Sequence, residues 1–265
     1  MIKLACVNQK GGTGKTTTVL HLSYILARKG LKVLAVDLDP QANLTSAFGL
    51  DPDSVEKGMD DVLESYAQKG EKVRITDIAV PAEIGSVKVT LAPSNAYLER
   101  LNITLLNALA RESVLRSALE DVMGFDVVLV DCQPTLSILT LNALVAADYA
   151  LIPAETRALS VQGLLMLFDT IEQVREKLNR NLRVLGILPV RYQSRLKAAQ
   201  KNLERLQNFS DIVKVYPPVP ESAAFEETIE NRKTLYEVDS ETAKRALKIY
   251  EQVAEDIEKI LGVVA

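Results

Sequence analysis

Cysteine is scarce in this chain, which has two, Cys6 and Cys132, among its 265 residues. They lie far apart and form no CxxC pair, so a zinc ribbon, a thioredoxin-type motif and a disulfide scaffold are excluded. This usage is typical of a reducing cytosol, and we expect both cysteines to be small core residues. The single histidine, His21, is too isolated to predict a metal site.

Long apolar runs and an excess of positive charge are also missing. No run approaches the roughly 18 residues that a membrane-spanning helix needs, and Lys3 interrupts the first apolar stretch, unlike in a signal peptide. The 31 Lys and Arg against 35 Asp and Glu give a net charge of −4, which excludes a wholly basic nucleic-acid coat but not a local basic patch. We expect a soluble, cytoplasmic protein with a large core.

Strand-like and helix-like segments alternate along the sequence. The predicted strands are residues 2–7, 32–36, 87–91, 125–130, 149–153, 182–188 and 212–216. The predicted helices are residues 15–29, 111–123, 137–146, 161–179, 193–207 and 240–261. Strands separated by helices predict an α/β fold with a doubly wound, mostly parallel sheet flanked by helices. We expect one domain over residues 1–265, with an irregular, acidic surface excursion at 51–83.

The most specific motif is K-G-G-T-G-K-T-T, which lies between the first strand and the first helix. It is a relaxed P-loop, since the leading glycine of the strict pattern is absent. Backbone N–H groups of such a turn and the helix N-terminus bind phosphate. A glycine-rich turn that merely contains lysine is the less specific interpretation. The predicted nucleotide contacts are Lys10, Gly11, Gly12, Thr13, Gly14, Lys15, Thr16 and Thr17.

Carboxylates follow two of the predicted strands. Asp131 ends a buried strand, where ligands bind in open α/β sheets, so we expect it to serve Mg²⁺ through water together with the Thr16 hydroxyl. Asp37 and Asp39 end the second strand, and their spacing places Asp37 beside the metal and projects Asp39 outward, to orient the attacking water. The alternatives are a simple strand-ending Asp131 and an Asp39 that caps the next helix.

A second lysine, Lys10, precedes the P-loop Lys15. It is either a solvated surface lysine or a residue that crosses to a phosphate in a facing subunit, as an arginine finger does in trans. The second interpretation requires a dimer.

Together these residues resemble the ParA/MinD branch of the deviant Walker P-loop ATPases, most closely the ParA/Soj partition proteins. The resemblance rests on residues 10–18, 36–43, 128–142 and 185–188. It implies ATP sandwiched in a homodimer, with Lys10 reaching the other subunit's nucleotide and Asp39 positioning the hydrolytic water. It also implies that a late loop holds adenine through Pro220 and Ser222, the latter replacing the family's usual Asn.

The resemblance further implies nonspecific DNA binding by the ATP-bound dimer, a stimulating adaptor protein of ParB type, and association with the nucleoid. The expected DNA contacts are Arg195, Lys197, Lys201, Arg205 and Lys233. Lys197, Lys201 and Arg205 share a helical face because they are four apart, although such a run is also typical of a solvated face.

Some positions depart from the family pattern, and these departures leave an alternative open. Gln133 replaces a proline after Asp131, while Glu221 and Ala224 replace arginines of the family's DNA-contacting surface. The alternative is a nucleotide-dependent switch that acts on a protein partner without DNA. Membrane binding through the C-terminus is not expected, because residues 251–261 are acidic and anionic lipid would repel them. The cargo stays open among a plasmid, a chromosome and a protein body.

Overall fold

A seven-stranded sheet forms the centre of the computed structural model, which describes residues 1–263. The strands are β1 (Ile2–Cys6), β2 (Val33–Leu38), β3 (Val80–Ile84), β4 (Val87–Ala92), β5 (Val127–Cys132), β6 (Tyr149–Glu155) and β7 (Arg183–Val190). Their order is β3-β4-β2-β5-β1-β6-β7. Neighbouring strands are parallel except the edge pair β3–β4, which is an antiparallel hairpin. The predicted doubly wound, mostly parallel sheet is confirmed.

Helices cover both faces of this sheet. They are α1 (Lys15–Arg28), α2 (Asn43–Ala47), α3 (Met59–Ala67), α4 (Ile75–Ile78), α5 (Leu101–Thr104), α6 (Val114–Glu120), α7 (Ile138–Ala146), α8 (Val161–Lys177), α9 (Lys197–Gln207), α10 (Ala224–Glu230) and α11 (Glu241–Leu261). Short 3-10 turns lie between several of them.

The alternation of side chains along each strand divides the interior into two cores. In β5, Val128 and Val130 pack with the face covered by α3, α6, α7 and α8, whereas Val127 and Leu129 pack with the face covered by α1 and α11. A strand buried on both faces must be apolar at every position, which explains the continuous apolar run that predicted β5.

The parallel register brings the ends of three central strands together. Asp131 of β5 is paired with Asp37 of β2 on one side and with Cys6 of β1 on the other. Because parallel strands end at the same edge of the sheet, the segments after β1, β2 and β5 meet there. This edge holds the P-loop and the carboxylates.

The predicted strand at residues 212–216 is wrong. Val215 makes one isolated bridge with Ile187, and backbone bonds join Ile187 to Lys214 and Tyr216 at 2.8 and 2.9 Å. Pro217 and Pro218 come next and have no N–H to donate, so the pairing is interrupted and resumes only when Val219 donates to the Pro189 oxygen at 2.8 Å. The helix predicted from residue 193 also begins later, at Lys197.

Residues 51–83 contain more regular structure than their composition indicated. They form α3 and α4 and lead into β3. Met59, Val62 and Leu63 of α3 are fully buried in the core, while Asp60 and Asp61 are partly buried and Glu64 is exposed. The acidic composition of this segment hid a helix that belongs to the core.

The apolar face of α11 packs against α1 inside the protein. Ile249, Val253 and Ile257 on this face are buried. Across residues 1–263, no helix is both long and apolar enough to cross a membrane.

Candidate functional site

The P-loop is a turn that only glycine accommodates easily. Gly12 and Gly14 have φ of +73° and +74°, and Gly14 is the N-cap of α1. Left-handed backbone of this kind favours glycine and turns successive N–H groups towards one anion. Lys15 is 6% exposed, and its Nζ lies 3.4 Å from the backbone oxygen of Lys10, so its ammonium folds back over the loop.

A cavity of about 720 Å³ opens beside this loop. Its wall includes residues 11–17 and Asp39, together with Pro220 and Ser222 from the late loop. Phe225 and Tyr250 add apolar surface to the same wall. The residues predicted to hold phosphate, apart from Lys10, and those predicted to hold the base therefore line a single space.

The metal position predicted from the sequence is built around Asp131. Its Oδ2 accepts a hydrogen bond from Thr16 Oγ1 at 2.6 Å, while its buried Oδ1 has no hydrogen-bond partner within residues 1–263. Burial, and then the nearby Asp37, raise the pKa of Asp131 well above its usual value. A hydrated Mg²⁺ fits this donor set, because it would satisfy the orphaned oxygen and favour the ionised carboxylate.

Within the described chain no three His, Cys, Asp or Glu side chains converge on one point. This pattern is compatible with Mg²⁺, which keeps several waters and takes further ligands from the phosphates of its nucleotide.

Asp37 is fully buried and bonded to protein groups. Its Oδ2 accepts from the N–H and the hydroxyl of Thr45 at 2.8 and 2.7 Å, and its Oδ1 accepts from the Asp39 N–H at 3.2 Å. Burial raises the pKa of Asp37 to about 6, against the lowering effect of these bonds. Asp37 thus organises the turn after β2, and its contact with the metal stays a prediction.

Asp39 lines the cavity and is 6% exposed. Its Oδ1 accepts from the Gln41 N–H at 2.9 Å, and burial raises its pKa while the charge of Lys15 opposes that rise. Asp39 does not cap α2, which begins after Ala42 with no side-chain cap. Asp39 is therefore placed beside the P-loop lysine, with its carboxylate at the wall of the cavity.

Sequence reasoning missed a serine behind these carboxylates. Ser94, two residues after the end of β4, donates its hydroxyl to the backbone oxygen of Asp39 at 2.9 Å. Its N–H donates to Thr45 Oγ1 at 2.9 Å. Its one sequence signal is its place just beyond the strand predicted at residues 87–91, whereas the position of that strand beside β2 is known only from the structure.

Lys10 does not line the main cavity. Its Nζ donates to Glu155 Oε2 at 2.7 Å and to the backbone oxygen of Ala158 at 2.6 Å. Glu155 ends β6 and its side chain is 12% exposed. Within one chain, Lys10 is thus held at the end of its own β6, and its reach into a second subunit stays a prediction.

Known proteins are similar to this chain in sequence and in architecture. A profile of the AAA domain family matches residues 1–184. The chromosome-partitioning ATPase Soj of Thermus thermophilus is 39% identical over 199 residues, 75% of this chain and 73% of that protein. The sporulation initiation inhibitor protein Soj of Bacillus subtilis is 32% identical over 257 residues, 96% of this chain and 97% of that protein.

A solved structure shares the fold over nearly the whole length. Cobyrinic acid a,c-diamide synthase from Mycobacterium smegmatis, with a bound ATP analogue and magnesium, has a TM-score of 0.78 and 32% identity, over 96% of this chain and 93% of that chain. The chain belongs to the ParA/MinD family of P-loop ATPases. The cofactors of this ATPase are ATP and Mg²⁺.

The late loop of this ATPase carries an acid where its relatives are expected to carry an arginine. Glu221 Oε1 accepts from Arg157 at 2.9 Å and from Arg191 at 3.0 Å, and Gln193 donates to its other oxygen. Burial alone would raise the pKa of Glu221, but the two arginines outweigh it and hold that pKa below its usual value. Glu221 and Arg191 both line the nucleotide cavity.

The basic residues of α9 and its approach are exposed in this ATPase. Arg195, Lys197, Lys201 and Arg205 form no salt bridge to an acid in the part of the chain that the structure describes. Arg195 precedes α9, and the other three lie on it. Lys233 differs, because it pairs with Glu227 at 3.3 Å.

Proposed function

We propose that this ATPase segregates or positions a cargo by an ATP-driven cycle of dimerisation and DNA binding. The observation that carries the proposal is the cavity in which residues 11–17, Asp39 and Pro220 meet. The likeness to the chromosome-partitioning ATPase Soj supports it independently. The cargo is a plasmid, a chromosome or a protein body, and its identity lies with the partner protein.

Each residue at the cavity has a distinct part in hydrolysis. The N–H groups of residues 11–17 and the Lys15 ammonium hold the phosphates of ATP and stabilise the charge that develops on them. Thr16 and, through water, Asp131 would hold Mg²⁺, and the bound metal would shield that charge. The Asp39 carboxylate accepts a hydrogen bond from the attacking water and orients the water towards the terminal phosphate. As the new P–O bond forms, the bond from the β–γ bridging oxygen to the terminal phosphorus breaks, and ADP leaves with that electron pair.

Dimerisation brings in Lys10 from a second copy. To reach the neighbour's phosphates, Lys10 must leave Glu155 and the Ala158 oxygen, which it contacts within a single chain. The phosphate charge then replaces the carboxylate as its partner, so ATP joins the two subunits and hydrolysis separates them.

The exposed cations of α9 supply the contact with DNA. A stripe without acidic partners is free to neutralise DNA phosphates, which releases counterions and makes binding strongly dependent on salt. Because the contact is to the backbone, it carries no sequence preference. DNA binding by the ATP state places the protein on the nucleoid in the cytoplasm.

Intrinsic hydrolysis is proposed to be weak and to be stimulated by an adaptor of ParB type. Stimulation by a partner couples release from DNA to the position of the cargo. The adaptor therefore sets where the cycle ends.

A regulatory switch that acts on a protein partner without DNA is the second candidate. It is favoured by Glu221, which occupies Arg157 and Arg191 close to the cavity. Retention of the wild-type protein on nonspecific DNA, at low and high salt with ATP or ADP, separates the two functions. The partition function predicts retention with ATP at low salt and its loss at high salt. No retention in any nucleotide state contradicts it and leaves the switch.

A further inference from the structure

Ser94 connects two strand ends at the hydrolytic side of the cavity. It is fully buried and lies past β4, whereas Asp37 and Asp39 lie at the end of β2. Its hydroxyl reaches the Asp39 backbone oxygen, and its N–H reaches Thr45 Oγ1, whose hydroxyl in turn donates to Asp37 Oδ2. This chain of bonds joins the Asp39 backbone oxygen, through Ser94 and Thr45, to the Asp37 carboxylate.

The turn that carries Asp39 has few other anchors. Pro40 follows and offers no N–H. The Asp39 backbone oxygen accepts from the Ala42 N–H at 2.9 Å, within the same turn, and from Ser94 Oγ at 2.9 Å, across from another strand. The Asp39 N–H is also tied to β2 through Asp37 Oδ1 at 3.2 Å, so the bond from Ser94 is the one that ties this backbone to the segment after β4.

We infer that Ser94 is a positioning residue for ATP hydrolysis. Its hydroxyl holds the Asp39 backbone so that the Asp39 carboxylate binds the attacking water in line with the terminal phosphate. This inference rests on the proposed role of Asp39. Orientation of a reacting water is sensitive to displacements of an ångström or less, and a buried hydroxyl that fixes one backbone atom acts at that scale.

The substitution Ser94→Ala isolates this role. The Asp39 backbone oxygen keeps its bond from the Ala42 N–H. The backbone N–H of residue 94 keeps its bond to Thr45 Oγ1, because neither group is changed by the substitution. No buried polar atom is left without a partner, so the folded chain loses little beyond one hydrogen bond. A loosened turn is the main consequence.

The test measures kcat, KM and the Kd for ATP of Ser94→Ala, together with its urea midpoint. We expect kcat to fall about tenfold, with KM and Kd within about twofold of wild type, the pattern of an interaction made in the transition state. Thr45→Ser, which keeps the hydroxyl, should stay near wild type, while Thr45→Val should lose kcat.

Asp39→Ala, measured with these variants, tests the proposed function separately from the positioning role of Ser94. If Asp39→Ala is inactive and Ser94→Ala turns over like wild type, the positioning role is wrong and the proposed function stands. If Asp39→Ala hydrolyses ATP at the wild-type rate, the proposed function itself fails. Equal losses of ATP affinity, stability and kcat in Ser94→Ala would mark a purely structural residue and also overturn the inference. If Ser94→Ala does not fold, Ser94→Cys decides by the same comparison of kcat with KM, because its thiol occupies the same position and is only a weak hydrogen-bond donor.

Discussion

The carboxyl edge of the sheet and the basic face of α9 are built in opposite ways. At the edge, Lys15, Asp37 and Asp131 are buried, and each contacts named groups at hydrogen-bond distance. On α9, Lys197 and Lys201 are exposed and form no salt bridge within residues 1–263. The first region fixes geometry, and the second supplies charge.

The difference teaches where single substitutions should matter. Buried polar groups depend on each other, because removing one leaves its partners unsatisfied or displaced. Exposed charges contribute small, nearly additive and salt-sensitive amounts. We therefore expect large effects of single changes at the edge and graded effects on the face.

The largest effect is expected for Lys15→Ala. Its ammonium is the buried cation over the P-loop, so its removal should weaken ATP binding by about 100-fold or more. Calorimetric titration with ATP and Mg²⁺ measures this. Lys10→Ala is the matched control, since Lys10 lies outside the cavity wall and its loss should leave ATP binding to the monomer nearly unchanged. Similar losses in both variants would contradict the distinction between the two lysines.

Acid should lower the free energy of unfolding through the buried His21. His21 is fully buried among Tyr24, Phe225 and Tyr250, neither ring nitrogen has a hydrogen-bond partner in the described chain, and burial lowers its pKa to about 3. The pKa of His21 in the folded protein lies below its unfolded value near 6.5. The contribution of the neutral, buried His21 to the free energy of unfolding is therefore fully present above pH 6.5 and is lost as the pH falls towards 3. The loss is about 1.4 kcal/mol per pH unit.

Urea unfolding at pH 7 and pH 5 tests this against His21→Phe, which removes the titrating group and keeps an aromatic ring. The raised pKa of Asp37 has the opposite effect on stability, and it does so equally in wild type and in His21→Phe. The quantity to compare is therefore the change in the free energy of unfolding from pH 7 to pH 5 in each protein. Wild type should lose about 2 kcal/mol more than the variant between the two pH values. An equal pH response would contradict the buried, neutral histidine.

DNA affinity should fall by a graded amount for each cation of the basic face. Lys201→Ala should weaken binding of the ATP state several-fold and reduce the slope of log affinity against log salt by about 1. Lys233→Ala should do less, because Lys233 is already paired with Glu227. Lys88 of β4 is exposed and pairs with Glu83 at 3.5 Å, so Lys88→Ala is the matched control for Lys233→Ala. Fluorescence anisotropy over a salt series measures the DNA affinity of all three variants. Equal losses of affinity in Lys201→Ala and Lys233→Ala would contradict the distinction between an unpaired and a paired lysine.

The smallest effect is expected for Glu155→Gln. This change removes the ion pair that holds Lys10 within its own chain, while Arg191 keeps its bond to Glu221. Breaking a partly exposed pair costs little, so ATP-dependent dimerisation should tighten only about threefold. Sedimentation equilibrium measures it in an Asp39→Ala background. Weaker dimerisation of the variant would show that Glu155 has a different role.

Local patterns were enough to predict the P-loop, the strand-end Asp131 and the two-faced sheet, because each follows from residues adjacent in sequence. The partner of Lys10 could not be found in this way, since Glu155 is 145 positions away. Ser94 escaped for the same reason: its role depends on β4 lying beside β2, which only the strand order reveals.

The errors of sequence reasoning have local physical causes. The strand predicted at residues 212–216 had suitable apolar residues, but Pro217 and Pro218 lack an N–H and interrupt the pairing with β7. The acidic residues at 51–83 suggested a surface excursion, although Val62 and Leu63 are core residues on the inner side of α3.

The most direct test of the central claim is size-exclusion chromatography of Asp39→Ala with ATP and Mg²⁺, with ADP, and with ATP and nonspecific DNA. We predict that the variant dimerises with ATP and stays monomeric with ADP. With ATP and DNA, we predict that the dimer co-elutes with the DNA. A protein that remains monomeric in ATP would contradict both the role of Lys10 in a second subunit and the partition cycle.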